Sequence, residues 1–291
     1  MANSGTVRPD VDRVSILGVG IDAITISAAI THITDVAADP TSASRYVVKP
    51  YVEFLDRAAT RPELQELLNG AYLSLPDGVA AIWAAHYLYA GPHGAWRFWR
   101  TLSLIVLNPS TLAWPLPEKI AGINFTLPLL ETAASKHLRV FLIGQPRTAH
   151  SGTVAIAHTA TTLTQKIPGL IIAGTRSGRD ELSTTGKVTD GWMSQTATDI
   201  AACKPDIILV GMGFPLQERV IAQLCEKIAH GIFIGEGGTF DYEAFGGSRP
   251  KAPTRIQRVG LEWLWRLGLE PKRLIRQLAV PRFIWRIWRI R

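Results

Sequence analysis

The sequence predicts an α/β fold: a Rossmann-like, largely parallel sheet with helices on both faces, plus a basic C-terminal helical appendage. Short apolar runs bounded by turn residues alternate with longer stretches of helical period, the pattern of strands joined by crossover helices. Several of those runs end in glycine-bearing turns, as strands of an open parallel sheet do where a ligand meets their carboxyl ends. Charge is also divided. Residues 249–291 carry twelve Lys and Arg against Glu262 and Glu270, a net of +10, whereas the other 248 residues hold nineteen against twenty-two, a net of −3.

At 291 residues and 47% hydrophobic, the chain can bury a full core and reads as one main domain with appendages. Residues 1–12 are polar, carry no apolar leader and are expected to form a flexible head. Residues 13–248 are expected to be the α/β catalytic domain, interrupted by an aromatic and basic insertion at 91–117, and residues 249–291 a basic amphipathic membrane-binding appendage. Cys203 and Cys225 are the only cysteines and lack metal-ligand spacing. The expectation is a reduced, cytoplasmic protein with no disulfide, no metal site and no cofactor.

The first strand is expected at residues 14–17. After it, Gly18-Val19-Gly20-Ile21-Asp22-Ala23 fits a loose dinucleotide fingerprint. The second strand, 45–48, ends in Val48-Lys49-Pro50 where that fingerprint needs an acid for the ribose, which argues against a nicotinamide site. A helix over 50–68 and a strand over 71–75 lead to the turn Leu75-Pro76-Asp77-Gly78-Val79, and a helix over 79–88 follows. A carboxylate on such a turn sits at the mouth of the sheet, so Asp77 is the candidate general base; the same position also suits a helix N-cap.

The 91–117 segment holds Trp96, Phe98, Trp99 and Trp114 with Arg97 and Arg100, then an apolar run at 102–107. The run is far short of the roughly 20 residues that cross a bilayer. A membrane interface, a lid and a buried excursion all fit its composition.

Strands are expected at 138–143, 170–173, 206–210 and 231–234, with helices at 125–136, 149–166, 192–202 and 215–229. The turns Gly144-Gln145-Pro146, Gly211-Met212-Gly213 and Gly235-Glu236-Gly237-Gly238-Thr239 put backbone N–H groups at one sheet edge, which suits a diphosphate. Glycine is equally the ordinary residue of a tight turn. Gln217 and Glu218 open the helix that follows Pro215; they read either as helix-start chemistry or as an amide offered to a sugar or uracil.

In the tail, a helix is expected over 254–267, with Pro271 interrupting it. Over 282–291, helical spacing puts Arg282, Arg286 and Arg289 on one face and Phe283, Ile287 and Ile290 on another, flanked by Trp285 and Trp288. This interfacial pattern suits an anionic membrane surface better than nucleic acid, whose phosphates gain nothing from an apolar stripe. No nucleic-acid partner is expected.

Taken together, Leu17-Gly18-Val19-Gly20-Ile21-Asp22, Leu75-Pro76-Asp77-Gly78-Val79, Gly211-Met212-Gly213-Phe214-Pro215-Leu216-Gln217-Glu218, Gly237-Gly238-Thr239-Phe240-Asp241, Gly260-Leu261-Glu262-Trp263-Leu264 and Glu270-Pro271-Lys272-Arg273 resemble the WecG/TagA/CpsF family of bacterial glycosyltransferases. They run in unbroken order from about Val14 to Leu278.

The resemblance implies an inverting, metal-independent transfer of a sugar from a UDP-sugar donor to a polyprenyl-diphosphate-linked acceptor, in surface or exopolysaccharide assembly at the inner face of the cell membrane. It gives Asp77 the role of general base. It matches Arg266, Arg273 and Arg276 to C-terminal arginines that reach the diphosphate. With the glycine turns read above, Gly144, Gly211, Gly213, Gln217, Gly237 and Gly238 are expected to hold the nucleotide. The lone Asp-x-Asp pair, Asp10-Val11-Asp12, precedes the first strand and is read as part of the head.

Lys49-Pro50-Tyr51 stands where the family carries Thr-Pro-Asn, and Lys119 stands for an arginine; these positions are expected to line the sugar or acceptor pocket. The 91–117 insertion is expected to exceed the family norm. A different class, a non-catalytic nucleotide-sugar or nucleic-acid binding module with a basic arm, remains the alternative.

Overall fold

The first strand does not join the sheet. In the computed structural model, which describes residues 8–144, 152–178, 188–253, 256, 265, 267–268 and 278–290, β1 (Arg13–Ile16) and β2 (Val19–Asp22) form an antiparallel hairpin of their own. Leu17 and Gly18 turn the chain with φ of 52° and 83°. Two successive positive φ values match the twist of a two-residue hairpin, and so short a connection leaves no room for a parallel crossover. Gly18-Val19-Gly20 is therefore a hairpin turn and its outgoing strand, and the strand expected at 14–17 is corrected in its partner. The hairpin is pinned through Asp22, whose buried carboxylate accepts from Ser74 N at 2.6 Å and from Arg8 Nη2 at 3.0 Å.

The remaining strands, β3 (Arg45–Val48), β4 (Leu73–Ser74), β5 (Arg139–Gly144), β6 (Ile171–Arg176), β7 (Ile207–Gly211) and β8 (Ile232–Gly235), form one parallel sheet in the order β4-β3-β8-β7-β5-β6. Both faces of its central strands are apolar, as parallel strands under crossover helices require. Ile207, Leu209, Ile232 and Ile234 meet α1 (Ile26–Ala38), α6 (Gly122–Ser135) and α7 (Gly152–Lys166). Their neighbours Ile208, Val210 and Phe233 meet α8 (Asp190–Cys203) and α9 (Leu216–Lys227). Each fully buried side chain of this size stabilises the fold by roughly 1.5–3 kcal/mol.

The helix expected over 50–68 is two helices, α2 (Val52–Ala58) and α3 (Pro62–Asn69). Pro62 has no N–H with which to continue a helix but suits the first position of a new one. Together with α4 (Val79–Tyr89), α5 (Ala95–Leu107), the hairpin and a last helix, α10 (Ala279–Arg289), they enclose a second apolar cluster beyond the β4 edge. The 91–117 segment is thus a helix antiparallel to α4, followed by a 3-10 turn at Pro109–Leu112. Trp83 Nε1 on α4 donates to Thr101 Oγ1 on α5 at 3.1 Å, and Phe98 crosses Trp83 and Tyr87 edge-on.

α10 also lies differently from the expectation. Phe283 and Ile287 are fully buried in the second cluster, and Arg282 and Arg286 reach Asp56 of α2 at 2.9 and 3.0 Å. Phe283 and Ile287, expected at a membrane surface, face protein instead, because Asp56 offers the arginines a buried carboxylate directly beside an apolar slot; Ile290 of the same stripe stays exposed. The boundary expected at 248 falls within a packed unit as well: buried Arg249 pairs with Asp241 at 2.8 Å. Most of 254–267, Pro271, and Arg266, Arg273 and Arg276 lie outside the described residues. Among the described residues, no helix is long and apolar enough to cross a membrane.

Candidate active site

Four strands of the sheet deliver their carboxyl ends to one edge, and two backbone hydrogen bonds tie the expected site segments there. Asp77 N donates to Pro50 O at 3.2 Å, joining the turn after β4 to Lys49-Pro50-Tyr51 after β3. Ile120 N donates to Pro76 O at 2.8 Å, bringing Lys119 to the same turn. Asp77, Lys49, Tyr51 and Lys119 are therefore neighbours, although they lie far apart in the chain. Asp77 is half-buried. It is not the N-cap of α4: that position is Gly78, at φ 87° and without any side-chain cap bond. The capping role therefore falls to no side chain, and the positive φ is what turns the chain out of β4 into the helix.

Lys49 does not open to solvent as a strand-end lysine would. Its Nζ lies 2.8 Å from Glu236 Oε2, and the two side chains are 5% and 0% exposed. Thr126 Oγ1 on α6 donates to the same oxygen at 2.8 Å, while Glu236 Oε1 has no hydrogen-bond partner among the described residues. An isolated buried carboxylate costs several kcal/mol, and the ammonium of Lys49 is what makes Glu236 tolerable at the end of the central strand β8. Glu236 was passed over in the sequence as one letter of a glycine turn. The signal that finds it is an acid and a lysine that end adjacent buried strands.

The glycine turns meet through Gln217. Its Oε1 accepts from Gly213 N at 3.1 Å and from Gly237 N at 2.8 Å, and its Nε2 donates to Glu218 Oε1 at 2.7 Å. Gln217 is 2% exposed. It bridges the turns after β7 and β8 from beneath instead of presenting a free amide, and the N–H groups of Gly213 and Gly237 are engaged by it. Gly144 and Gly211 are glycines for a packing reason: a Cβ on Gly144 would stand 2.4 Å from Gly211 O, and one on Gly211 would stand 2.6 Å from the Phe240 ring. Gly238 sits above the buried Asp241–Arg249 pair, with Arg249 Nη1 donating to its carbonyl at 3.2 Å. Beside this row, Phe214 stacks on Phe54 at 3.7 Å, and Tyr51 packs on Phe54 at 4.7 Å while its hydroxyl donates to Glu53 Oε2 at 2.7 Å.

Glu218 is wholly enclosed behind Gln217, and its Oε2 has no hydrogen-bond partner among the described residues. Burial pushes its carboxyl up to about 7, opposed by the Gln217 hydrogen bond. The sequence reading of Glu218 as a complement to the helix start accounts for its position but not for this enclosure. One edge thus carries an acid on a turn, a buried ion pair and linked glycine turns.

Sheets of this kind take their ligands in the crevice outside the carboxyl ends of the strands, so the β4-β3-β8-β7 edge of this α/β protein is the candidate site. Comparison with known proteins narrows the class. A model described as the glycosyl transferase WecG/TagA/CpsF family matches residues 14–96 and 103–291, so the chain belongs to that family and is a glycosyltransferase. Residues 97–102, inside α5, fall between the two matched stretches. Among curated relatives, the N-acetylglucosaminyldiphosphoundecaprenol N-acetyl-beta-D-mannosaminyltransferase of Bacillus spizizenii is 27% identical over 262 residues, 89% of this chain and 84% of that one. The protein of the same name from Staphylococcus aureus strain NCTC 8325 is 27% identical over 280 residues, 96% of this chain and 94% of that one.

Proposed function

We propose that this chain transfers a sugar from a UDP-sugar to a polyprenyl-diphosphate-linked saccharide, with inversion and without a metal, in the assembly of a surface polysaccharide. The relatives' names supply the acceptor class and make an N-acetylmannosaminyl group the first donor to test. The observation that carries the reading is the junction at Asp77, where Lys49-Pro50-Tyr51, Pro76-Asp77 and Lys119-Ile120 are hydrogen-bonded to one another at the sheet edge.

The acceptor hydroxyl attacks the anomeric carbon while the bond to the UDP oxygen breaks. Asp77 takes the hydroxyl proton, and the electron pair of the breaking bond leaves on the diphosphate. Inversion of an α-linked donor gives the β linkage that the relatives' names carry. Protein cations serve the departing diphosphate, a task assigned here to Arg266, Arg273 and Arg276. Lys49 acts through Glu236, and Gln217 through the two turns it joins, so both shape the donor pocket from below. Asp10 and Asp12, the one Asp-x-Asp pair, are exposed ahead of β1 and are given no part in the reaction. The protein works at the inner face of the membrane, with the exposed Trp285, Arg289 and Ile290 of the tail contributing to contact with anionic lipid.

The test is UDP release in EDTA, with and without a polyprenyl-diphosphate N-acetylglucosamine acceptor. Acceptor-dependent release is expected, and Asp77→Asn is expected to lower turnover by about 10²–10⁴ while leaving UDP affinity unchanged. Full turnover in Asp77→Asn removes it as the base, and loss of activity in EDTA removes metal independence.

A further inference from the structure

α5 carries large apolar side chains on both sides although it lies on the surface. Its inner side, Phe98, Thr101, Leu102 and Ile105, meets the second cluster. Its outer side, Trp96, Trp99, Arg100, Ser103, Val106 and Leu107, repeats at three and four residues and is exposed along its whole length, Trp96 at 79% and Leu107 at 76%. An exposed stripe that holds Trp96, Trp99, Val106 and Leu107 belongs where something covers it.

We infer that the outer side of α5 is a membrane-docking platform that seats in the headgroup region of an anionic bilayer. Three observations choose lipid as the occupant. Tryptophan and arginine share the exposed stripe, the pairing that the interface between water and hydrocarbon favours. Neither α5 nor its neighbour α10 contains an acid, and the two helices meet where Phe98 packs on Trp288 at 4.7 Å, so Arg100 and Arg289 face outward with no negative charge on either helix. A second copy on this surface would set these arginines against their own kind.

The third observation is position. Later residues of α4 touch earlier residues of α5, Tyr87 on Phe98 and Trp83 on Thr101, so α5 runs back along α4 and its Val106–Leu107 end returns toward the Asp77 turn. The stripe thus extends about 20 Å from the far end of α4 to the catalytic end. A lipid-linked acceptor held in the bilayer would present its diphosphate next to Asp77. That last step rests on the proposed function; lipid binding itself does not. The platform is distinct from the tail, whose Phe283 and Ile287 face inward, and its Trp99 and Arg100 fall in the stretch that the family model passes over.

The test is flotation of the full chain with vesicles of phosphatidylglycerol and phosphatidylcholine, and with phosphatidylcholine alone. The parent is expected to bind the anionic vesicles, and Trp96→Ser/Trp99→Ser/Leu107→Ser to lose about tenfold or more of that binding with its melting temperature unchanged. The same variant is expected to keep its turnover on a short, water-soluble acceptor and to lose it on acceptor embedded in vesicles. Equal vesicle binding by parent and variant overturns the inference. So does a parent that ignores vesicles, or one that self-associates through this stripe and falls apart in the variant without any change in lipid binding. Stripe-dependent vesicle binding with no sugar transfer to any acceptor leaves the platform standing and removes the transferase reading.

Discussion

α5 and α10 are written in the same letters, tryptophan, arginine and aliphatics without an acid, and they meet opposite fates. α10 buries Phe283 and Ile287 and delivers Arg282 and Arg286 to Asp56. α5 buries Phe98 and Thr101 and leaves Trp96 and Trp99 in the open. Its inward arginine, Arg97, meets no carboxylate among the described ion pairs; it donates to main-chain carbonyls, of His86 at 2.7 Å and Tyr87 at 2.6 Å, and lies over the Tyr87 ring at 5.4 Å. Composition does not decide which amphipathic helix docks; a carboxylate waiting beside an apolar slot does.

The largest effect is expected where that docking is apolar. Phe283→Ala removes a fully buried ring that meets Trp83 edge-on and is expected to cost roughly 3–5 kcal/mol, read in reversible urea unfolding. A loss near zero would mean that α10 rests on the body without being held by it, and the contrast with α5 would collapse.

Glu218 is the case of a buried acid that has no such cation at contact distance among the described residues. Folded, it keeps its proton up to about pH 7; unfolded, it gives it up near its ordinary value of 4.5. Between those values the folded state binds more protons, so stability falls as pH rises from about 4.5 to 7 and levels off above that window. The full span is roughly 3 kcal/mol. Glu218→Gln retains an oxygen for Gln217 Nε2 and cannot ionise, so its unfolding is expected to lose this slope and to be harder than the parent's at pH 8. A slope unchanged in the variant would assign it to another group.

Asp56→Ala comes next. It strands two arginines, but their side chains are 58% and 28% exposed and regain water, so the expected cost is roughly 1–2 kcal/mol, larger at low salt. A salt-independent loss would point to packing of Asp56 itself and not to its ion pairs.

How far the sequence carries is visible in the same elements. β5, β7 and β8 and the helices between them follow from periodicity, because a strand buried on both faces has few other readings. β1 was misplaced because an apolar run does not name its partner; the positive φ of Leu17, unusual outside glycine, is what makes the hairpin. Asp77, Lys49 and Lys119 were legible as strand-end or turn residues, since every parallel strand sends its carboxyl end to one edge. Their hydrogen-bonded junction was not, nor was the burial of Lys49 against Glu236, because pairings across the sheet depend on strand order. Asp56 was missed entirely: an acid in a helix reads as solvent-facing until the tail that covers it is located.

The smallest expected effect is the sharpest test of the comparison. Trp99 is 63% exposed, and its ring meets only Phe98, edge-on at 5.3 Å, among the aromatic contacts of the described residues. If the outer side of α5 is displayed and not covered, Trp99→Ser removes little buried area, and its cost is the modest helix-propensity term, within about 0.5 kcal/mol. The melting temperature should then move by no more than a degree or two, against many degrees for Phe283→Ala. A shift of similar size in both variants would mean that Trp99 is covered in the folded chain in solution, and the outer side of α5 would not be free to dock elsewhere. A negligible shift leaves an apolar stripe that the fold does not need, as a surface used for contact outside the chain would be.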